Sequence, residues 1–182
     1  MPTFVAFLRA LNMAGHNSVR MKDLSALFYG LVFSDITTYI QSGNVIFRYA
    51  GKEKEKDITQ KIEKAISAKF GLDIDVMVRR VDELKGLEPR NPFLLEENFT
   101  PVKLAVLFLN EKATDDSILA MKTISYPPDK FEISGREIFI YCPNGFGRTR
   151  LYTNFFEKKM GVRGTARNWK SITTILGIAE KL

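Results

Sequence analysis

One cysteine, one histidine and one tryptophan are all that the 182 residues contain of those three types. Cys142 alone cannot close an internal disulfide, and Cys142 with His16 cannot supply the four ligands of a structural zinc site. Any triad or His-based centre would have to use His16, in a loop between Gly15 and Asn17; a general base can stand there, but a solvated loop residue is the simpler reading. Long apolar runs are missing too. The longest, Leu104 to Leu109, falls far short of the roughly 20 residues that a membrane span needs. Met1-Pro2-Thr3 offers no basic region ahead of an apolar core, and Arg9 interrupts the stretch that follows, so no signal peptide is expected. Together these absences predict a soluble protein of the reducing cytoplasm, with no membrane partner and no cofactor.

Acidic residues are scarce in one place only. Residues 1 to 142 hold 19 basic and 19 acidic side chains, whereas residues 143 to 182 hold 8 basic and 2 acidic, so the whole net charge of +6 lies in the last forty positions. What is plentiful is hydrophobic: 45% of the chain is apolar and 14 residues are Phe, too rich for a disordered segment. A chain of this length suits one sizeable core or two small ones, and one compact unit is expected.

Apolar residues from Thr3 to Ala10 predict a buried strand, followed by a loop over 12–17 and a helix carrying Met21, Leu24, Phe28 and Leu31, with Ser18 as its cap. Alternation through Ile36, Thr38 and Ile40, then Val45 to Tyr49, predicts a hairpin turning on Gly43. Asp57 and Gln60 look like a capping box before the stripe Ile58, Ile62, Ile66 and Phe70, with Gly71 as the stop. Leu72 to Arg80 reads as a strand, completing the order βαββαβ. Residues 81–101, with Pro89, Pro92 and Pro101 and a short helical stretch over 81–87, read as a connector.

The order then begins again: strand 102–109, helix 113–124, strand 129–134, a turn at Gly135, strand 137–142 and a helix from Thr149 to Met160. Gly43 and Gly135 are 92 residues apart and each follows a Ser, and the helix starts near 21 and 113 share that spacing. These registers predict an α+β fold built as a tandem duplication of ferredoxin-like (βαββαβ) halves, each a mainly antiparallel sheet with helices on one face. The halves would be 1–80 and 102–182. The second shows no obvious last strand and ends instead in an extra helix over 168–182.

Chemistry is harder to find. Asp115-Asp116 suits a helix start, and Asp73 and Asp75 share one strand face at spacing two, so neither pair requires an acid/base role. Gly145-Phe146-Gly147 falls between strand and helix but lacks the remainder of a phosphate-loop fingerprint. Its surroundings are more telling. Arg148, Arg150, Lys158, Lys159, Arg163, Arg167 and Lys170 face only Glu157, and two expected helix starts, near Thr149 and Asn168, would add free backbone N–H groups. From these, Arg148, Arg150, Arg163, Arg167 and Lys170 are the candidate anion-binding residues, for a phosphate-bearing small molecule or nucleic acid. Four phosphate contacts on a single strand would give a salt slope of about −3. The competing reading is a solvated basic face, in which Leu151, Phe155, Phe156 and Met160 are core and Trp169 belongs to the apolar face of the last helix. An enzyme acting on a small anion, with Arg148, Arg167 and His16 in one pocket, and a scaffold assembling through a sheet edge are the other two readings.

Three separated blocks resemble one bacterial family, that of domain of unknown function 1697. They are Phe7 to Gly15 with Met21–Leu27 and Thr38 to Phe47; Asn91-Pro92-Phe93; and Gly145 to Leu151 with Glu157–Lys159 and Thr165 to Ile172. The family usually has Gly where Ala10 stands and often where Ala14 and Val32 stand. The resemblance implies a bacterial cytoplasmic origin and no particular activity. It does group polar residues inside its blocks: some of Arg9, Asn12, Ser42, Asn44, Arg167 and Asn168 are expected to contribute to a shared surface or hydrogen-bonded network. Turn geometry at Gly43 and Asn44 and a helix cap at Asn168 explain those positions equally well.

Overall fold

The computed structural model describes residues 1–13 and 15–182, leaving the expectation at Ala14 outside the described residues. The first half runs β1 (Thr3–Leu8), α1 (Met21–Gly30), β2 (Ser34–Tyr39), β3 (Asn44–Arg48), α2 (Glu55–Phe70) and β4 (Val76–Arg80), followed by the short helices α3 (Val81–Lys85) and α4 (Leu87–Arg90). After a 3₁₀ turn come β5 (Leu104–Leu109), α5 (Asp115–Met121), β6 (Lys130–Ser134), β7 (Glu137–Tyr141), α6 (Thr153–Met160), β8 (Gly164–Asn168) and α7 (Trp169–Ala179). Two four-stranded antiparallel sheets result, ordered β2-β3-β1-β4 and β6-β7-β5-β8. The fold is α+β, and its two halves repeat one element order and one strand order.

Alternation explains how each sheet carries its helices. Phe4, Ala6 and Leu8 of β1 cluster with Val45 and Phe47, with Leu24 and Phe28 of α1 and with Ile58, Ile62 and Ile66 of α2. The helical spacing of those isoleucines makes a single buried stripe. In the second half Leu107, Leu109, Ile138 and Ile140 meet Met121 of α5 and Phe156 and Met160 of α6 in the same way. The alternate residues Val5, Phe7, Ile46 and Met77, and Val106, Phe108 and Phe139, are buried as well. Both faces of each central strand are therefore withdrawn from water, which is why β1 and β5 read as unbroken apolar runs.

The halves agree in detail. Val5 pairs with Arg79 as Val106 pairs with Arg167, and each arginine donates from Nη1 to the carbonyl of the residue before it, Val78 or Ala166. Asn44 and Glu137 open β3 and β7 opposite Phe7 and Phe108, and both are buried. A glutamate from the preceding helix accepts the first N–H of each last strand: Glu63 from Val76 at 2.9 Å and Glu157 from Gly164 at 2.9 Å. The chain divides into two compact units, Met1–Lys85 with Ile175–Leu182, and Gly86–Thr174.

Several boundaries differ from the sequence expectation. β1 ends at Leu8 because Ala10 turns left-handed, at φ 51°. Arg20, not Ser18, precedes α1, and no side chain caps it. Helix α2 starts two residues before Asp57; Lys54 is the N-cap, and Asp57 at the third helical position accepts the Lys54 N–H. β4 begins at Val76, four residues after Leu72. The expected helix at Thr149 is absent: Thr149 is extended at ψ 151°, its hydroxyl accepts from Leu151 N–H, and α6 starts at Thr153. The second half does possess its last strand, β8, which antiparallel pairing with β5 stabilises although Gly-Thr-Ala-Arg-Asn has little intrinsic strand pattern.

Candidate functional site

Within the second unit, the segment after β7 turns at Gly145, forms a 3₁₀ turn over Phe146–Arg148 and bends at Arg150 on its way to Tyr152. It closes one side of an open groove of about 650 Å³, whose other wall is the α5–β6 connection. Tyr126, Pro127, Asp129, Gly145, Arg148 and Arg150 line it. Both arginines are exposed, and the Arg150 guanidinium lies 5.5 Å from the centroid of the Tyr126 ring, a cation–π distance. Phe155 meets the same ring edge-on at 5.8 Å, so the aromatic is braced from α6. Thr149 anchors the segment by accepting from Leu151 N–H at 3.0 Å and from Cys142 Sγ at 3.4 Å.

Of the five candidate anion ligands, the structure brings only Arg148 and Arg150 together in this groove. Arg163 stands on the turn between α6 and β8, where its N–H donates to Asn110 Oδ1 and its carbonyl accepts from Asn110 N–H. Arg167 lies in β8 and donates to Thr165 Oγ1 at 2.8 Å; burial lowers its pKa to about 10, leaving it protonated at neutral pH. Lys170 is exposed in the first turn of α7. The helix start expected beside Arg148 is not there to add its dipole. The one at α7 does exist, and Asn168 Oδ1 accepts from Ser171 N–H at 2.7 Å, so Asn168 is its cap.

The polar residues of the family blocks divide between the units. In the first, Arg9 is 3.6 Å from Asp75. Asn12 accepts from Val19 N–H and donates to the carbonyls of Val19 and Gln41, which ties the loop after β1 to the β2–β3 turn. Asn44, fully buried, donates to Tyr39 O and Ser42 Oγ. A Cβ on Gly43 would stand 2.7 Å from that of Leu8, and its φ is 75°, so the turn needs glycine. Asn12 thus ties the two adjoining loops through Gln41 O, and Asn44 with Ser42 holds the β2–β3 turn. His16 is exposed, with its N–H donating to Met13 O.

Sequence reasoning missed Arg79, the largest fully buried side chain, and Tyr126, the aromatic in the groove. The signal for Arg79 was its match in register to Arg167 once β8 is recognised. Nothing local marks Tyr126. Cys142 is buried, and desolvation pushes its thiol up to about 11, with the Asp129 carboxylate adding to the shift. Among the described residues no cluster of His, Cys, Asp and Glu is suited to hold a metal ion, and no helix is long and apolar enough to cross a membrane.

The family model described as "Protein of unknown function (DUF1697)" matches residues 1–139. The chain belongs to that family. The match takes in the first two blocks of resemblance and stops before the third, which holds Arg148 and Arg150. No curated protein matches the chain. Among solved structures, "The structure of conserved bacterial protein SP0830 from Streptococcus pneumoniae" is similar over 98% of both chains, with a TM-score of 0.76 at 17% identity. At that identity the likeness concerns the fold alone. For this DUF1697 member the groove in the second unit is thus a feature read from its own residues.

Proposed function

We propose that this protein binds an anionic ligand, phosphate-bearing or nucleic-acid in character, in the groove rimmed by Arg148 and Arg150. The observation that carries the reading is that two exposed arginines, Arg148 and Arg150, line one concave surface beside Tyr126 and the Gly145 turn. Paired guanidiniums favour multiply charged oxyanions, because each offers a planar fork of donors. We further read each half as a ferredoxin-like unit and the chain as an internal duplication, acting in the cytoplasm. Support comes from the strand order β2-β3-β1-β4 and its repeat, and from the matched positions of Arg79 and Arg167.

Isothermal titration with tripolyphosphate at low salt tests the anion site. Arg148→Ala with Arg150→Ala is expected to weaken binding by at least about tenfold, since each charge-assisted contact contributes roughly 1.5–3 kcal/mol. Unchanged affinity in the double variant, or no binding by the parent protein, would sink the reading. With a single-stranded oligonucleotide, two phosphate contacts give a salt slope of about −1.4, half that of the four-contact case.

A further inference from the structure

The two units differ at positions that strand register makes equivalent. Phe4 of β1 pairs with Phe47 and Arg80, and Ala105 of β5 pairs with Ile140 and Asn168. Two residues on, Ala6 pairs with Val78 as Leu107 pairs with Ala166. At this end of the first sheet the Phe4 ring stacks on Phe47 at 5.7 Å, and the Arg80 guanidinium lies over it, 5.6 Å from its centroid. The first unit thus fills the space with its own side chains. In the second, Ala105, Ile140, Ala166 and Asn168 stand where the first has Phe4, Phe47, Val78 and Arg80, a smaller side chain each time. These four line a pocket of about 270 Å³. Leu107, larger than Ala6, does not refill it, because its Cδ1 lies against Gly164, 2.8 Å from where a Cβ would stand.

The pocket has a buried floor of Ala105, Ile140 and Leu151 and an exposed rim of Tyr152, Ala166 and Asn168. Helix α6, which starts at Thr153 and has half the length of α2, leaves it open. We infer that this pocket is a binding site for an uncharged, planar aromatic ring of a small molecule, which takes the place that the Phe4 ring fills in the first unit. Size and charge narrow the class. A cavity of roughly 150 Å³ already holds benzene, so this pocket admits a fused bicyclic ring. Arg167 is the only charged residue among the described residues that line it. Its Nη1 donates to Thr165 Oγ1 and Ala166 O, and a cationic ring would meet no carboxylate on these walls. Thr149 lines both this pocket and the arginine groove, whereas Arg148 and Arg150 line the groove alone. The ring site therefore stands whether or not the groove holds an anion.

Isothermal titration of the full chain with indole, an uncharged bicyclic ring, tests the site, and 1-adamantanol, apolar but globular, is the shape control. Indole is expected to saturate a single site and to bind at least about tenfold more tightly than 1-adamantanol, because a planar ring suits the slot left by Phe4. Ala105→Phe with Ala166→Val returns the first unit's residues to the pocket and is expected to abolish indole binding, with a cooperative urea transition showing that the fold is kept. Should that double variant not fold, Ala166→Val alone decides: the position is exposed on a strand that suits a β-branched residue, and indole affinity is expected to drop at least about threefold. Arg148→Ala with Arg150→Ala is expected to leave indole affinity unchanged. Loss of indole binding in that variant would move the ring into the arginine groove and overturn the inference. Absence of saturable binding, equal affinity for 1-adamantanol, or an indole affinity untouched by Ala166→Val overturns it too. Tripolyphosphate binding that survives such a failure leaves the anion site standing by itself, and indole binding without tripolyphosphate binding removes the anion reading while keeping the ring site.

Discussion

Val32 is a β-branched residue at φ 65°, 82% exposed, just beyond the end of α1. Left-handed backbone costs an ordinary residue about 1–2 kcal/mol, and glycine escapes that cost at the end of a helix. The resemblance places Gly at 32 and at 10, and Ala10 is also left-handed, at φ 51°. Val32→Gly is thus expected to stabilise the fold by roughly 1 kcal/mol, after the extra flexibility of unfolded glycine is set against the relieved strain. Urea denaturation would measure it, and a lowered midpoint would contradict the account. Cys142 supplies the pH-dependent counterpart. The folded chain holds its thiol proton to about 11, while an unfolded thiol releases it near 9.0. The native state binds more protons between those values, so the thiol's contribution to stability is intact below the window and is lost as pH rises through it. Denaturation midpoints that fall between pH 9 and 11 in the parent, and fall less in Cys142→Ala, are the expected result. Native-state resistance to a thiol reagent at pH 8 should accompany it.

Among the elements, the β6–β7 hairpin depends on a clamp from α4. Arg90 donates to Ser134 O and Oγ, and through both terminal nitrogens to Glu137 Oε2 at 3.2 Å, where the Glu137 side chain is only 8% exposed. The corresponding position in the first half is Asn44, a neutral side chain that donates to Tyr39 O and Ser42 Oγ of its own turn. A carboxylate cannot be satisfied so locally, and α4 supplies the cation. Arg90→Ala should cost about 1.5–3 kcal/mol, with Glu137→Gln in the same chain recovering part of it. Chemical denaturation of the two single variants and the double variant decides this, and additive losses would mean that the pair is not coupled. The same elements show what was legible beforehand. Helix α2 and strands β1, β5 and β7 declare themselves because burial on a fixed period leaves a pattern in residue type. β8 does not, because its strand state is imposed by β5 and by the Glu157 carboxylate at Gly164, where a Cβ would crowd Leu107 and the Phe108 carbonyl. Thr149, a plausible cap by type, does not start α6, because its hydroxyl accepts from Leu151 N–H across the bend at Arg150. Arg148 and Arg150 stand out in the sequence through the local excess of basic residues beside a short glycine turn. Their partner Tyr126 does not, since only the folding of the α5–β6 connection brings it near.

For the whole molecule, the excess of basic charge in residues 143–182 is one block in sequence and several places in structure. Arg148 and Arg150 share a groove, Lys158 and Lys159 are exposed on α6, Arg163 marks a turn and Arg167 is drawn into β8. A ligand of the groove therefore meets a fraction of that charge, and its salt dependence should be correspondingly shallow. The division into units carries a different implication. Ile175–Leu182 belongs with Met1–Lys85, although the whole of Gly86–Thr174 lies between them in the chain. On a ribosome, where domains fold as their residues emerge, the unit begun first is finished last. The second unit has all its residues in hand while the first still waits for Ile175, fully buried in the finished protein. Vectorial synthesis thus reverses the order in which the two units can mature.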